Sequence, residues 1–191
     1  MYPGWSPYTY AANNPLVFVD PDGEKVILGS WWDRALNVLG YKTDNLQYLE
    51  RAVERLKQSQ TGLEIYNELD AIKEPVVVEA GALGKTDKGL ILGETTPKGT
   101  VDKFESATVK LDPKNIHEST KYPEAGGDQP KNAAAVQLAH EFGHVKAAKD
   151  NPKKYTQEIK EGTGERIQGK PYENAVREEL KKLDDKEKRN P

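Results

Sequence analysis

Leu138-Ala139-His140-Glu141-Phe142-Gly143-His144-Val145 carries the strongest structural signal in this chain. It lies in an alanine-rich segment, from Asn132 to about Lys149, where Leu138, Phe142 and Val145 share one apolar stripe. Alanine content and helical apolar spacing both favour a helix here, and Asn151-Pro152 marks its end. Residues four apart on a helix lie one turn apart on the same face. His140 and His144 therefore present two imidazoles side by side, each able to offer a nitrogen to one metal ion. They are two of only three histidines in the chain, so their pairing does not follow from abundance. Gly143 between them costs a helix about 1 kcal/mol relative to alanine. That cost is understandable if another backbone or a bound substrate packs close at this point.

The chemistry that suits this spacing is that of a zinc ion (Zn2+). Zinc accepts imidazole nitrogens at about 2.0–2.1 Å and keeps an open position for water in catalytic sites. Glu141, next to the first histidine, can aim its carboxylate at that water, take its proton and pass it to a leaving amine. This is the physical content of His-Glu-x-x-His on a helix. A third ligand has to come from elsewhere. His117, the remaining histidine, lies upstream in Asn115-Ile116-His117-Glu118, just after an expected strand. Downstream candidates are Glu158, Glu161, Glu165, Glu173, Glu178 and Glu179. Glu173 is preferred as a metal ligand because it falls on a second expected helix, and two packed helices present a ligand rigidly. Arg177, four residues on, shares its face and can orient the carboxylate or stabilise a developing oxyanion. The plainer alternative for that pair is a surface ion pair worth about 0.2–0.5 kcal/mol. Tyr172 is a further candidate oxyanion stabiliser, equally suited to a place in the core.

Around this centre the pattern is of mixed helix and strand. Residues 31–42 place Trp31, Trp32, Ala35, Leu36 and Leu39 at helical spacing, ending near Gly40. Thr43 or Asp44 can cap a second helix over 45–59, whose apolar positions are Leu46, Leu49, Val53 and Leu56. Ser59-Gln60-Thr61-Gly62 breaks it, and a short third helix ends before Pro75. Residues 75–79, PVVVE, and 107–111, ATVKL, predict strands, the latter stopped by Asp112-Pro113. As the strand before the histidine helix, ATVKL either pairs with an extended substrate as an edge strand or lies inside the sheet. Residues 80–105 are expected to be mostly loop, with a possible strand at Leu90-Ile91-Leu92, and 114–130 are expected to be loop. Residues 153–170 are polar with three glycines, and Pro171 suits the start of a helix over 172–187 that ends in a charged, solvated tail.

Composition narrows the functional classes. A net charge of −3 and a pI near 5.7 argue against nucleic acid as the main partner. No apolar run approaches the roughly 20 residues a membrane span needs. Cysteine is absent, so a metal has to be held by His, Asp or Glu. Residues 1–24 differ from the rest: they are rich in Pro, Gly, Asn and aromatics, with turn signals at Asn14-Pro15 and Asp20-Pro21-Asp22-Gly23 around a short expected strand, Leu16–Val19. The chain thus divides into 1–24 and a domain over 25–191.

Tyr8-Thr9-Tyr10, Asn13-Asn14-Pro15-Leu16 and Phe18-Val19-Asp20-Pro21-Asp22-Gly23 resemble the junction that closes an Rhs (YD-repeat) core. That resemblance implies that residues 25–191 form a variable C-terminal toxin domain, the chain being a fragment or an orphaned cassette. LAHEFGHV, with Glu173-Asn174-Ala175-Val176-Arg177-Glu178-Glu179-Leu180 after it, is similar to the NleD-type effector metallopeptidase family, over roughly 45–182. It also resembles the wider gluzincin pattern, in which a second helix supplies a glutamate. These resemblances imply an α+β, zincin-like domain with a small antiparallel or mixed sheet beside the zinc helix. They imply a polymorphic toxin: a secreted zinc endopeptidase, made in a bacterial cytoplasm and delivered to act on proteins in a target-cell cytoplasm, with a possible cognate immunity protein. The competing expectations are an inactive or binding-only Rhs-tip domain and a zinc amidase acting on a non-protein amide.

Overall fold

The computed structural model describes residues 25–87, 89–121 and 129–189. The proposed junction at 1–24 and residues 122–128 of the expected loop lie outside the described residues. In chain order the elements are β1 (Val26–Leu28), α1 (Trp31–Val38), α2 (Asp44–Leu56), α3 (Gln60–Asp70), β2 (Val76–Ala80), β3 (Lys85–Thr86), β4 (Gly89–Leu90), β5 (Gly93–Thr100) and β6 (Lys103–Leu111). They continue as α4 (Pro113–Ser119), α5 (Pro130–Asp150), α6 (Pro152–Lys160), a π-helical turn (Glu165–Gly169) and α7 (Lys170–Arg189). The fold is α+β: among the described residues, seven α-helices accompany a small mixed sheet.

The sheet has the order β1-β2-β6-β5, with β1, β2 and β6 parallel and β5 antiparallel at one edge. Side chains alternate across a strand. Val76, Val78, Ala107, Val109 and Leu111 are buried, whereas Val77, Thr108 and Lys110 are only half-buried. One face of the sheet therefore carries the core. The helices start where short polar side chains cap them: Ser30 in a capping box with Asp33, Thr43 for α2, Ser59 for α3 and Asp112 for α4. α5 is the central helix. Leu138, Phe142 and Val145 are fully buried, and Ala133, Ala135 and Ala139 on its other sides are buried too. A helix apolar on most sides has to be wrapped by the rest of the fold.

Several expectations change. ATVKL belongs to an interior strand, because β6 is paired on both sides. The edge strand beside it is β5, within the segment expected to be mostly loop; GETTPKGT offers no hydrophobic alternation, and Pro97 lacks a backbone donor, which an edge strand tolerates. The expected strand at 90–92 is only the end of β4, in a two-stranded ribbon with β3. Part of the expected loop after Asp112-Pro113 is α4: Asp112 caps it and Pro113 occupies its first turn, where proline is favoured. Asn151-Pro152 both ends α5 and starts α6, since the Asn151 side chain accepts from the Lys154 amide at 2.9 Å. α1 forms as expected, yet Trp31 and Trp32 stack on each other at 4.2 Å and stay exposed.

The charged tail is also more deeply engaged than its composition suggests. α7 continues to Arg189, and Asp184 on it is 1% exposed. Its carboxylate accepts from Arg55 of α2, from Lys131 at 2.5 Å and from Asn132 of α5 at 2.8 Å. Burial alone would raise the Asp184 pKa, but the bonds from Lys131, Asn132 and Arg55 outweigh it and hold the carboxyl below its ordinary value. A depressed folded-state pKa contributes stability that is present above the unfolded value of about 3.9 and is lost as pH falls through the folded one. Asp184→Asn should therefore lower stability by about 2–3 kcal/mol at pH 7, somewhat under the range for a fully buried pair because Lys131 reaches water. Urea unfolding at a series of pH values should show this gap narrowing below about pH 4.

Candidate metal centre

His140 and His144 project from α5 on one face, with their Nε2 atoms 3.1 Å apart. Both residues are buried. Glu165, on the π-helical turn, brings Oε2 to 2.9 Å from His140 Nε2 and Oε1 to 3.7 Å from His144 Nε2. Among the described residues, His140, His144 and Glu165 form a group that could hold a metal ion, with ligand atoms within 4.8 Å of one another. Two ligand atoms in a tetrahedral zinc site stand about 3.3 Å apart, given bonds of about 2.0–2.1 Å. The two Nε2 atoms are near that spacing, and nitrogen with carboxylate oxygen is a donor set zinc accepts.

Each imidazole is also held from behind. Nδ1 of His140 donates to Glu173 Oε2 at 2.7 Å, and Nδ1 of His144 lies 2.9 Å from Gln168 Oε1. Glu173, expected as the third ligand, thus stands on the far side of the His140 ring from the point where the Nε2 atoms converge. The exposed Glu165 occupies that point. Arg177 donates to Glu173 Oε1 at 2.6 Å and Lys170 to the same oxygen at 2.8 Å. The i,i+4 contact between Arg177 and Glu173 is present, as either reading of that pair requires. Of the other downstream glutamates, Glu158 accepts from Gln168 and Glu179 from Thr61 of α3. His117 lies exposed on α4, outside the group.

The electrostatics reflect these contacts. Burial opposes charge on His140, but hydrogen bonds to Glu165 and Glu173 prevail and lift its pKa to about 9. The bonds from His140 and His144 hold the Glu165 carboxyl far below its ordinary value. Glu173 is also buried, yet its bonds to His140, Arg177 and Lys170 bring it down to about 2. Glu165 and Glu173 are thus held ionised by positive partners within the site.

Glu141 points its carboxylate toward the edge strand. Oε2 accepts from the Thr95 hydroxyl at 2.7 Å and Oε1 from the Gln137 amide at 2.6 Å. Burial raises its pKa against those bonds and the attraction of both histidines. A methyl group at Gly93 of β5 would fall 2.5 Å from Glu141 Oε1, so a bare backbone is needed beside this carboxylate. Tyr172 is not at the converging nitrogens. Its ring packs beside Gly143, and the charges acting on its phenol are those of Lys146, Glu68 and Asp150. Tyr155 on α6 is half-buried, and burial with the charges of Glu141 and Glu165 raises the pKa of its phenol. Nothing in the polar stretch 153–170 marked Tyr155 or Gln168 beforehand; the three glycines nearby were the one hint of close packing.

Compared with protein-family models, curated proteins and solved structures, the chain finds no match in any of the three.

Gly143 shows why glycine stands between the histidines. A Cβ there would collide with the backbone oxygen of Gln168 and come within 2.7 Å of the Tyr172 ring. Gly143→Ala should therefore lower the affinity for any metal held here by about tenfold or more, on the scale of lost outer contacts to a metal site. Intrinsic propensity would favour the same change by about 1 kcal/mol. Competition with a chromophoric chelator should show the loss, while circular dichroism shows helix content undiminished.

Proposed function

We propose that this chain is a zinc-dependent peptidase, and that it serves as the toxin domain of an Rhs-type carrier. The observation that carries the enzymatic part is the convergence of His140 Nε2, His144 Nε2 and the Glu165 carboxylate, with buried Glu141 directly after the first histidine. In this assignment Glu165 is the third ligand, and Glu173 holds His140 in the tautomer that frees Nε2 for the metal. The delivery part rests on the Rhs-like residues 8–23 and the NleD-like Glu173-Asn174-x-x-Arg177 element.

A bound zinc ion would polarise the scissile carbonyl and lower the pKa of water. The chain's own residues do the rest. Glu141 takes the proton from water and returns it to the leaving amine; its burial moves its pKa upward, toward the range where a general base works well. Thr95 and Gln137 fix its direction. Tyr155, kept protonated, has an O–H to offer a developing oxyanion. The outer edge of β5, which carries Thr95, offers an extended peptide a strand to pair with. The expected substrate is a protein in a recipient cell, and a cognate immunity protein would cover this cleft in the producer.

Purified protein should bind zinc at close to one equivalent. Glu141→Gln should keep the metal and lose about 10²–10⁴-fold in turnover, the usual worth of a positioned acid–base group. New N-termini in a digested proteome, read by mass spectrometry, measure that loss, and growth on expression should recover with the same substitution. A protein with intact ligands that takes up no zinc would sink the proposal, and zinc binding without new N-termini would favour the amidase or binding-only alternatives.

Tyr155→Phe separates stabilisation of the transition state from assembly of the site. It should lower kcat by about 10²–10³-fold, as for other lost oxyanion donors. KM and zinc affinity should change little. A variant as active as the parent removes Tyr155 from the mechanism.

A further inference from the structure

The two histidines are supported by chemically different groups. Behind His140 stands a carboxylate, which can only accept, so Nδ1 must carry a proton and Nε2 is the nitrogen left to a metal. Behind His144 stands the Gln168 side-chain amide, buried at 3% exposure. An amide has an accepting end and a donating end of nearly the same shape, and only its partners determine which faces where. Turned one way, it accepts from Nδ1–H and leaves Nε2 free for a metal. Turned the other way, it donates to Nδ1 and forces the proton onto Nε2, where no metal can bind.

Glu158 is the group that breaks this symmetry. Its Oε2 lies 2.7 Å from Gln168 Nε2. A carboxylate cannot donate, so the NH2 end of the amide must face Glu158 and the carbonyl must face His144 at 2.9 Å. Turning the amide would set its carbonyl oxygen against the carboxylate, two acceptors in contact with no hydrogen between them. Glu158 is itself half-buried on α6, 3.6 Å from Lys154 Nζ.

We propose that Glu158, which touches neither His144 nor the metal position, is a positioning residue that fixes the direction of the Gln168 amide and through it the metal-binding tautomer of His144. The inference rests on the metal-site reading but is separable from peptidase activity. It also accounts for the residue type at 168: a second carboxylate there would face Glu158 directly. His140 needs no such relay, because Glu173 has no wrong orientation.

The test uses Glu158→Ala and the double variant Glu158→Ala/Gln168→Glu, with zinc alone as the probe. Zinc affinity is measured by chelator competition, and the His144 tautomer by long-range 1H–15N NMR of the imidazoles. Glu158→Ala should lose about 10–100-fold in zinc affinity, as for other outer contacts to a metal site. In the zinc-free protein, above the histidine titration, His144 should then show both tautomers. The double variant should regain most of the affinity and a single Nδ1–H tautomer, because a carboxylate at 168 accepts whatever lies behind it.

A Glu158→Ala protein with wild-type affinity and spectrum overturns the proposal. So does a double variant no tighter than the single one, which would mean that α6 had simply been disturbed. Were the wild-type protein to bind no zinc, the metal reading would fall, and the His144 spectrum of the zinc-free variants would still decide the relay.

Discussion

The seat of one backbone carbonyl on a bare Cα holds this site together. Gly143 has no side chain, so the Gln168 carbonyl rests directly on α5 where any Cβ would collide with it. The π-helical turn is anchored there, and its five residues are put to several uses. Glu165 meets the Nε2 atoms, Gln168 stands behind His144, and Gly169 lies so close to His140 that a Cβ would fall 2.5 Å from its Nε2. Wide π turns are uncommon and recur at functional positions. Here the turn packs a candidate ligand and the group behind His144 into one tightly docked segment, and it leads directly into α7, which supplies Glu173 and Arg177.

Legibility in the sequence depends on where the signal is local. The apolar stripes of α2 and α5, the β-branched run of β2 and the spacing of His140 and His144 are properties of consecutive residues, and the structure shows those elements where they were expected. Gly143 was legible too, as an unfavourable residue needing a reason. β5 was not, because an edge strand of Thr, Gly, Lys and Pro acquires its conformation from pairing with β6. The convergence of Glu165 was equally hidden. Six downstream glutamates had much the same local credentials, and the one that meets the Nε2 atoms is selected by how a glycine-flanked turn lands on a distant helix. Glu173 lay on the better helix, and that same rigidity placed it behind a ligand.

Charge is distributed with comparable economy. Three carboxylates lie at or beside the site: Glu173 is offset by Arg177 and Lys170, and Glu141 is held by hydrogen bonds from the uncharged Thr95 and Gln137. The support behind His144 is a neutral amide. A carboxylate in each of these places would push more electron density onto the metal and blunt it as a Lewis acid, since outer partners raise ligand basicity. The arrangement holds the imidazoles firmly without overloading the centre with negative charge.

The exposure of Glu165 carries a kinetic meaning. Both imidazoles are enclosed by the core, but the side chain of Glu165 is 73% exposed. A metal held here would meet solvent on the Glu165 side, where exchange would need no helix displaced. The apolar core is built from other residues. A metal gained or lost on that side would leave the packing of α5 against its neighbours as it is.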